Sequence, residues 1–249
     1  MKYLLEGCVD SVESALYAQA GGADRLELCA NLIVGGTSPS AAMIQEVLNR
    51  VQIPVNVLLR PRFGDFCFTE PEKRILLQEI RDCRELGVNA VVVGALLPDG
   101  QLDIAFLEQC REAAGTLNMT LHRAFDVARD PFETLEAAIH VGFQTVLTSG
   151  QKKNVDEGEE MLCRLQEAAA GRIEILVGCG VNSRNIEGLA RRGLTNFHSA
   201  GKHTVAGPMQ YRNEGVPMGL PMLSEYDRVY TDEAEIRAMR DVLDRLEKA

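Results

Sequence analysis

Short apolar runs alternate with amphipathic segments along the whole chain. The runs are continuous and rich in Val, Ile and Leu, which is typical of strands buried on both faces of a parallel sheet. In the segments between them, apolar residues recur at helical spacing, which predicts helices with one buried face. The predicted strands are 3–8, 25–29, 54–60, 90–94, 119–123, 144–148, 173–178 and 196–199. The predicted helices are 12–20, 40–50, 72–86, 104–114, 132–141, 156–170, 183–191 and 232–246.

Proline and glycine mark the boundaries of the predicted helices. Pro39, Pro71 and Pro131 lie in or just before a first helical turn, where the missing proline N–H costs nothing. Glycines also end helical segments, as expected of residues that tolerate a left-handed backbone. These glycines are Gly21, Gly87, Gly115, Gly142, Gly171 and Gly193. Strands alternating with helices in this way predict an α/β fold, a single (β/α)8 (TIM-like) barrel, with residues 1–249 forming one domain.

One segment interrupts the repeat. Residues 201–231 separate the last predicted strand from the last helix and are rich in Gly, Pro and Met. A loop of this length within a compact domain is usually functional, and its position predicts a lid over the carboxyl ends of the strands. A surface arm or an oligomer contact is the alternative. We interpret Met209, Met218 and Met222 as packing residues of this loop rather than metal ligands.

Composition and charge narrow the range of partners. The net charge is -10 and no basic block offsets it, which argues against nucleic acid or an anionic membrane as a partner. A metal ion or a small anionic metabolite is the expected ligand. The seven cysteines are scattered without a CxxC pair. Because no signal-peptide pattern or long apolar run is present, we predict a cytoplasmic protein with reduced thiols.

The first two predicted strands each end in a carboxylate and a thiol. Glu6 and Cys8 are two residues apart, as are Glu27 and Cys29, so each pair shares one face of its strand. Thiolates suit Cu(I) or zinc, whereas the carboxylates suit acid–base work or a harder cation. The alternative for the cysteines is a role as small buried hydrophobic residues.

The third and fifth predicted strands end in charged residues. Arg60 and Arg62 follow the third strand and could neutralise the glutamates or bind a carboxylate or phosphate. His122, Arg123 and Asp126 follow the fifth strand, where a histidine is placed for proton transfer or metal ligation. A core histidine with satisfied hydrogen bonds is the alternative.

The last three predicted strands are followed by small and polar residues. Ser149, Gly178, Gly180 and Ser199 lie where TIM barrels commonly bind phosphate, and a helix that starts nearby would offer free backbone N–H groups. We therefore predict a phosphate seat there, with tight turns and ordinary helix caps as the alternative. His198, at the end of the eighth strand, is a weaker candidate for the same chemistry as His122.

Several longer motifs resemble the copper homeostasis protein family CutC. They are Glu27-Leu28-Cys29-Ala30, Gly35-Gly36-Thr37-Ser38-Pro39-Ser40, Arg60-Pro61-Arg62, Gly64-Asp65-Phe66-Cys67, His122-Arg123-Ala124-Phe125-Asp126, Leu147-Thr148-Ser149-Gly150-Gln151 and Tyr211-Arg212-Asn213. The resemblance covers essentially the whole chain. It implies a TIM-like barrel in the cytoplasm, a role in copper homeostasis with Cu(I) binding, and a homo-oligomer, often a dimer. It also implies that Arg212 belongs to a loop motif that reaches back over the barrel mouth.

Two functional hypotheses follow. In the first, the protein handles copper, with Cys8 and Cys29 as soft ligands. In the second, it is a lyase- or isomerase-type enzyme acting on a small phosphorylated or carboxylated metabolite. Glu6, Glu27 and His122 would then perform acid–base catalysis. The substrate would be bound by Arg60, Arg62, Arg123, Asp126, Ser149, Gly178, Gly180, Ser199 and Arg212.

Overall fold

Eight parallel strands form a closed barrel surrounded by helices, as the alternating pattern predicts. The computed structural model describes residues 2–213, 215–216, 218–220 and 223–248. The barrel strands are β1 Leu4–Val9, β2 Arg25–Leu28, β3 Val55–Leu58, β4 Ala90–Val93, β5 Asn118–Leu121, β6 Thr145–Thr148, β7 Glu174–Val177 and β8 Asn196–Ser199. The helices are α1 Val12–Gly21, α2 Ala41–Arg50, α3 Glu70–Leu86, α4 Ile104–Ala114, α5 Pro131–Val141, α6 Val155–Ala169, α7 Ile186–Arg191 and α8 Glu233–Lys248.

Two apolar layers hold the barrel together. Residues such as Leu26 and Val57 point outward and join the large core between strands and helices. Their neighbours along each strand point inward, because successive strand residues face opposite sides. A smaller apolar cluster of Cys8, Cys29, Leu58 and Val92 fills part of the interior. Polar residues that lie on the inward face are therefore held deep inside the protein.

Capping residues define where the helices begin and end. Thr69 caps α3 and forms a reciprocal capping box with Glu72. Asp130 caps α5 through the N–H groups of Phe132 and Glu133. The predicted stop at Gly21 is wrong by one residue, because Gly22 is the left-handed cap and Gly21 is the last residue of α1.

Gly21 lies where a side chain could not be accommodated. A β-carbon at this position would lie 2.6 Å from Cβ of Ile236 and 2.8 Å from the carbonyl oxygen of Glu233. Glycine thus allows α8 to approach α1 closely. This contact joins the last helix to the first and completes the outer ring.

The long segment after β8 contains secondary structure that the sequence pattern did not predict. Lys202–Ala206 (β9) and Asp227–Thr231 (β10) form an antiparallel pair outside the barrel. The base of this pair packs on α1, where Ser14 Oγ accepts a hydrogen bond from the Thr231 N–H. The connection between β9 and β10 is exposed, with 80% of Met218 accessible. Pro217, Pro221 and Met222 lie outside the described residues.

Within the described part of the chain, no helix is both long enough and apolar enough to cross a membrane.

Candidate metal centre and cavity

A cavity of about 960 Å³ opens at the carboxyl ends of the barrel strands. It is large enough for an organic molecule, and it brings together residues from seven of the strand ends. The predicted site residues that line it are Cys8, Glu27, Arg60, His122, Arg123, Asp126, Gly180 and Ser199. Glu6 and Cys29 are buried behind the residues that line the cavity. The predicted residues Arg62, Ser149, Gly178 and Arg212 do not line it.

Glu6 is the centre of a polar network inside the barrel. Its carboxylate accepts hydrogen bonds from Arg25 Nε, from Asn56 Nδ2 at 3.0 Å and from His198 Nδ1 at 2.7 Å. Burial opposes ionisation of Glu6, but Arg25 and His198 outweigh burial and lower its pKa to about 2. Glu6 is therefore a carboxylate with three partners, and only 1% of it is exposed. This position holds other groups in place and is not available to a ligand.

His198 lies between Glu6 and the cavity. One ring nitrogen is bonded to Glu6, which leaves Nε2 to face Cys8 and Glu27. Burial alone would lower the pKa of His198, but Cys8, Glu27 and Glu6 together hold it well above its ordinary value. Ligating atoms of Cys8, Glu27 and His198 all lie within 4.8 Å of one another. These three side chains are the metal-type cluster that the described residues form.

The pKa values of Glu27 and Cys8 are both raised in this cluster. Burial raises the pKa of Glu27 to about 7, although the charge of His198 opposes the shift. The neighbouring Cys29 thiol and burial raise the pKa of Cys8 well above its ordinary value. The Cys8 thiol lies 3.9 Å from Glu27 Oε1, and the second oxygen of Glu27 has no partner among the described residues. An ion with positive charge would satisfy both groups.

Cys29 lies directly beside Cys8, on the side away from the cavity. The two thiols belong to the same small apolar cluster, and Cys29 Sγ lies 3.5 Å from the carbonyl oxygen of Val9. Cys29 is fully buried. The two cysteines named from the sequence are therefore adjacent, but Cys8 alone faces the cavity together with the histidine and the carboxylate.

His122 is neutral and firmly positioned. The Ala124 N–H donates to Nδ1 at 3.1 Å, so the ring proton is on Nε2. Burial, together with the charge of Arg60, lowers the pKa of His122 to about 3. The ring packs on Phe66, with 4.9 Å between ring centroids. Because Nε2 has no partner in the described structure, His122 presents an unused donor rather than a base.

Arg60 is a buried cation that forms no salt bridge with the described residues. Two of its nitrogens donate to the carbonyl oxygens of Gly36 and Gly64, and its guanidinium lies 4.7 Å from the centre of the Phe66 ring. Nε has no hydrogen-bond partner among the residues described. The predicted role of Arg60 in neutralising Glu6 is wrong, because Arg25 takes that role.

Asp126 and Arg123 line the cavity but bind each other. Asp126 accepts bonds from Arg123 Nε, the Thr148 hydroxyl, the N–H and hydroxyl of Ser149, and the Gln151 N–H. So many donors make it a structural carboxylate that holds the loop after β6 against the turn after β5. Ser149 is fully buried in this network. The structure therefore places Asp126 and Ser149 as supports of the cavity wall.

Two of the predicted anion-binding arginines are directed elsewhere. Arg62 forms ion pairs with Asp65 and Glu72 on the outside of the barrel. Arg212 lies in the exposed segment between β9 and β10, with its guanidinium 5.1 Å from the centre of the Tyr226 ring. Arg212 therefore does not contribute to the lining of the cavity.

One N–H group beside the predicted phosphate site is already paired within the protein. The Ser183 N–H and hydroxyl donate to the carboxylate of Glu235 from α8, at 2.7 and 3.0 Å. Helix α7 begins at Ile186, later than predicted, because Asn182 to Asn185 form a hydrogen-bonded turn. The Ser199 hydroxyl donates to the carbonyl oxygen of Val181. The Ser183 N–H is therefore already hydrogen-bonded to a carboxylate.

Gly178 has a packing role at this end of the barrel. A β-carbon there would lie 2.5 Å from Leu147 and 3.2 Å from His198. Gly178 thus leaves room for the His198 ring and does not bind a ligand through a free N–H.

Sequence reasoning missed two members of the site. Arg25 begins β2, and the strand register places it beside Glu6. Its inward position could have been inferred, because Arg25 and Glu27 share a strand face. The sequence gives little sign of the role of His198, since its register partner Glu6 lies 192 residues away and becomes a neighbour only when β8 pairs with β1.

The fold and the cavity define a TIM-barrel protein with a buried Cys–Glu–His cluster at the carboxyl ends of its strands. Comparison with known proteins agrees with this description. The model of the CutC family matches residues 3–203. A CutC family protein of Parabacteroides distasonis is 43% identical over 241 residues, covering 96% of this chain and 99% of the relative. A human protein named copper homeostasis protein cutC homolog is 40% identical over 242 residues, covering 96% and 89%.

The chain therefore belongs to the CutC family. A crystal structure of a CutC protein from Streptococcus agalactiae has a TM-score of 0.76 at 32% identity, covering 80% of this chain and 98% of that one. Thiamine phosphate pyrophosphorylase from Pyrococcus furiosus has a TM-score of 0.59 at 12% identity, so that likeness concerns the fold alone. The predicted family and the predicted TIM-like barrel are both confirmed.

Proposed function

We propose that this protein takes part in copper homeostasis by binding Cu(I) at Cys8, His198 and Glu27, with Cys29 as an additional thiol. The observation that carries this proposal is the convergence of three ligating atoms within 4.8 Å at the cavity wall. The name of the human relative, which refers to copper homeostasis, supports the choice of metal. Soft thiolates select Cu(I), and imidazole is compatible with copper.

Glu6 would prepare His198 for this role. Metal-binding histidines commonly bond their second nitrogen to a carboxylate, which fixes the ring and the tautomer. The 2.7 Å contact between Glu6 and His198 Nδ1 has this form and leaves Nε2 for the metal. Since Glu6 is itself held by Arg25 and Asn56, the ring has little freedom to turn. The ligand set is therefore preorganised on barrel strands rather than on loops.

The metal would take the place of protons in the cluster. The Cys8 thiol and His198 Nε2 must each lose a proton before they can bind a metal. Cu(I) would then supply positive charge beside Glu27, whose second oxygen has no partner in the described structure. This arrangement favours a cation over an anion at this point of the cavity.

Anaerobic titration of the full chain with Cu(I) against a competing chelator tests the proposal. We expect Cys8→Ser to weaken Cu(I) binding at least tenfold and His198→Asn to weaken it less, because a thiolate is the preferred ligand. Cys163→Ser is the matched control, since Cys163 is a partly buried thiol on α6 outside the cluster. Unchanged affinity in Cys8→Ser, or no competition by the wild-type protein, would contradict the proposal.

A cytoplasmic location and a homodimer are part of the same proposal. All the cysteines are free thiols, which suits a reducing compartment. Light scattering of the purified chain measures the mass in solution, and a mass equal to one chain would rule out the dimer.

A further inference from the structure

Arg60 and His122 each have one buried N–H donor without a partner among the described residues. They line the same cavity and follow β3 and β5, whereas the metal-type cluster lies on β1, β2 and β8. Arg60 is 8% exposed and His122 is 4% exposed. Arg60 Nε and His122 Nε2 both lack a hydrogen-bond partner among the described residues. Burying such donors without a partner is unfavourable, so a ligand that pairs with them would recover this cost.

Both donors are held in fixed positions by their surroundings. Phe66 lies between them, 4.7 Å from the Arg60 guanidinium and 4.9 Å from the His122 ring. The Ala124 N–H fixes the tautomer of His122. Gly94 leaves room for the ring, because a β-carbon there would lie 2.7 Å from it. Groups that are fixed in this way bind a matching ligand without the cost of becoming ordered.

The charges specify an anion. Arg60 carries a permanent positive charge. Its pKa is lowered by burial and by the nearby charge of Arg62, and no carboxylate contributes to the shift. His122 adds a neutral N–H, so the pair supplies one full positive charge and two directed donors. Arg123, which also lines the cavity, is already paired with Asp126.

The surroundings favour a carboxylate over a phosphate. The N–H of Ser183, where TIM barrels commonly bind phosphate, donates to Glu235. The cavity walls include the apolar side chains of Leu58 and Leu147. A planar group of single charge matches one guanidinium and one neutral donor, whereas a phosphate dianion needs more of both.

We propose that Arg60 and His122 form a binding site for a small organic carboxylate, independent of copper binding, in the same cavity as the cluster of Cys8, Glu27 and His198. The carboxylate accepts hydrogen bonds from the guanidinium and from His122 Nε2, and the organic part of the ligand lies against the apolar wall.

Malonate is the probe, and metal-free protein with a chelator present keeps this test separate from the copper proposal. Calorimetry at constant ionic strength should detect malonate binding to the wild-type chain. We expect Arg60→Gln and His122→Phe to weaken it at least tenfold, and His122→Gln, which retains a nitrogen donor, to weaken it less. Arg62→Gln is the matched control, because Arg62 is an arginine two residues away that does not line the cavity. Equal affinity in Arg60→Gln and the wild type would overturn the proposal.

Two further measurements on the wild-type protein need no variant that might fail to fold. The nitrogen NMR resonance of His122 Nε2 should move on saturation with malonate, and a resonance that does not move would overturn the proposal. Inorganic phosphate serves as the competing probe. Tighter binding of phosphate than of malonate would overturn the assignment to carboxylates, whereas weaker binding supports it.

Discussion

Glu6 is the residue on which the interior of the barrel depends most. Its carboxylate joins Arg25 from β2, Asn56 from β3 and His198 from β8. Each partner is also buried or nearly buried, so water cannot replace the carboxylate if it is lost. The members of the network therefore stabilise the barrel interior as a unit, and the contribution of each depends on the others.

Replacing Glu6 should be strongly destabilising. Glu6→Gln keeps the shape but removes the buried carboxylate that pairs with Arg25, which retains only the more distant and exposed Glu174 at 3.9 Å. We therefore expect the free energy of unfolding to fall by roughly 3–5 kcal/mol. Urea denaturation measures this change. Glu46→Gln is the control, because Glu46 pairs with Arg50 on the exposed face of α2 and should contribute less than about 0.5 kcal/mol. A similar effect of the two substitutions would show that Glu6 has no special role.

Glu27 and His122 should have opposite effects on stability between pH 4.5 and 6.5. Folding raises the pKa of Glu27 from 4.5 to about 7, so the folded state binds a proton there that the unfolded state releases. Folding lowers the pKa of His122 from 6.5 to about 3, so the unfolded state binds the proton instead. The stability from Glu27 is therefore lost as the pH rises through 7, and that from His122 is lost as the pH falls below 6.5.

Two variants separate these effects. Relative to the wild type, Glu27→Gln should lose stability on acidification from pH 6.5 to 4.5, with a slope of at most roughly 1 kcal/mol per pH unit. His122→Gln should show the reverse slope. Urea denaturation at several pH values measures both slopes. The assignment fails if the two variants differ from the wild type in the same direction.

Among the elements, α8 has the largest influence on how the chain closes. Its buried residues Ile236, Met239 and Leu243 pack on the start of the chain. Its Glu235 also accepts a hydrogen bond from the Ser183 N–H. The sequence alone suggested this N–H as part of a phosphate site. The helix thus both completes the outer ring and changes the chemistry of the barrel mouth.

Gly21→Ala tests the close contact between α1 and α8. The new β-carbon would collide with Ile236 and the backbone of Glu233, so we expect a loss of roughly 1–3 kcal/mol in the free energy of unfolding. Gly188→Ala is the matched control, because nothing lies within 4 Å of its β-carbon position in α7. That control should stabilise the protein slightly, by about 0.4–1 kcal/mol. Thermal unfolding of the two variants compares the effects, and equal changes would contradict the packing argument.

At the scale of the whole molecule, barrel closure brings the site together. The pairing of β8 with β1 places His198 beside Glu6, and the neighbouring pairing of β1 with β2 places Cys8 beside Glu27. The cavity exists because the strands meet in a ring. Damage to closure should therefore remove the site as well as the stability.

A truncated chain that ends at residue 231 should lose both the site and the stability of the fold. Without α8, apolar surface on α1 and the start of the barrel is exposed, and Ser183 loses its carboxylate partner. We expect loss of the near-ultraviolet circular dichroism signal and of cooperative unfolding, with much of the helical signal retained. Cooperative unfolding of the shortened chain near the wild-type midpoint would contradict this expectation.

The periodic pattern along the chain was sufficient to predict the barrel and most element boundaries, because strand and helix periods are local properties. It also located Glu6, Cys8, Glu27, Arg60 and His122 at strand ends, where a barrel collects its polar residues. The pair β9–β10 could not be predicted in this way. Its strands are mostly exposed and carry no buried apolar pattern.

Only the tertiary structure decided which polar side chains use one another as partners. Asp126, Arg62 and the Ser183 N–H looked available in the sequence, but each is paired within the protein. Arg60 and His122 looked no different, but Arg60 Nε and His122 Nε2 have no partner in the described part of the chain. The physical reason is that a local pattern tells which face of a strand a residue occupies, whereas hydrogen bonds depend on distances of a few ångströms between residues far apart in the chain.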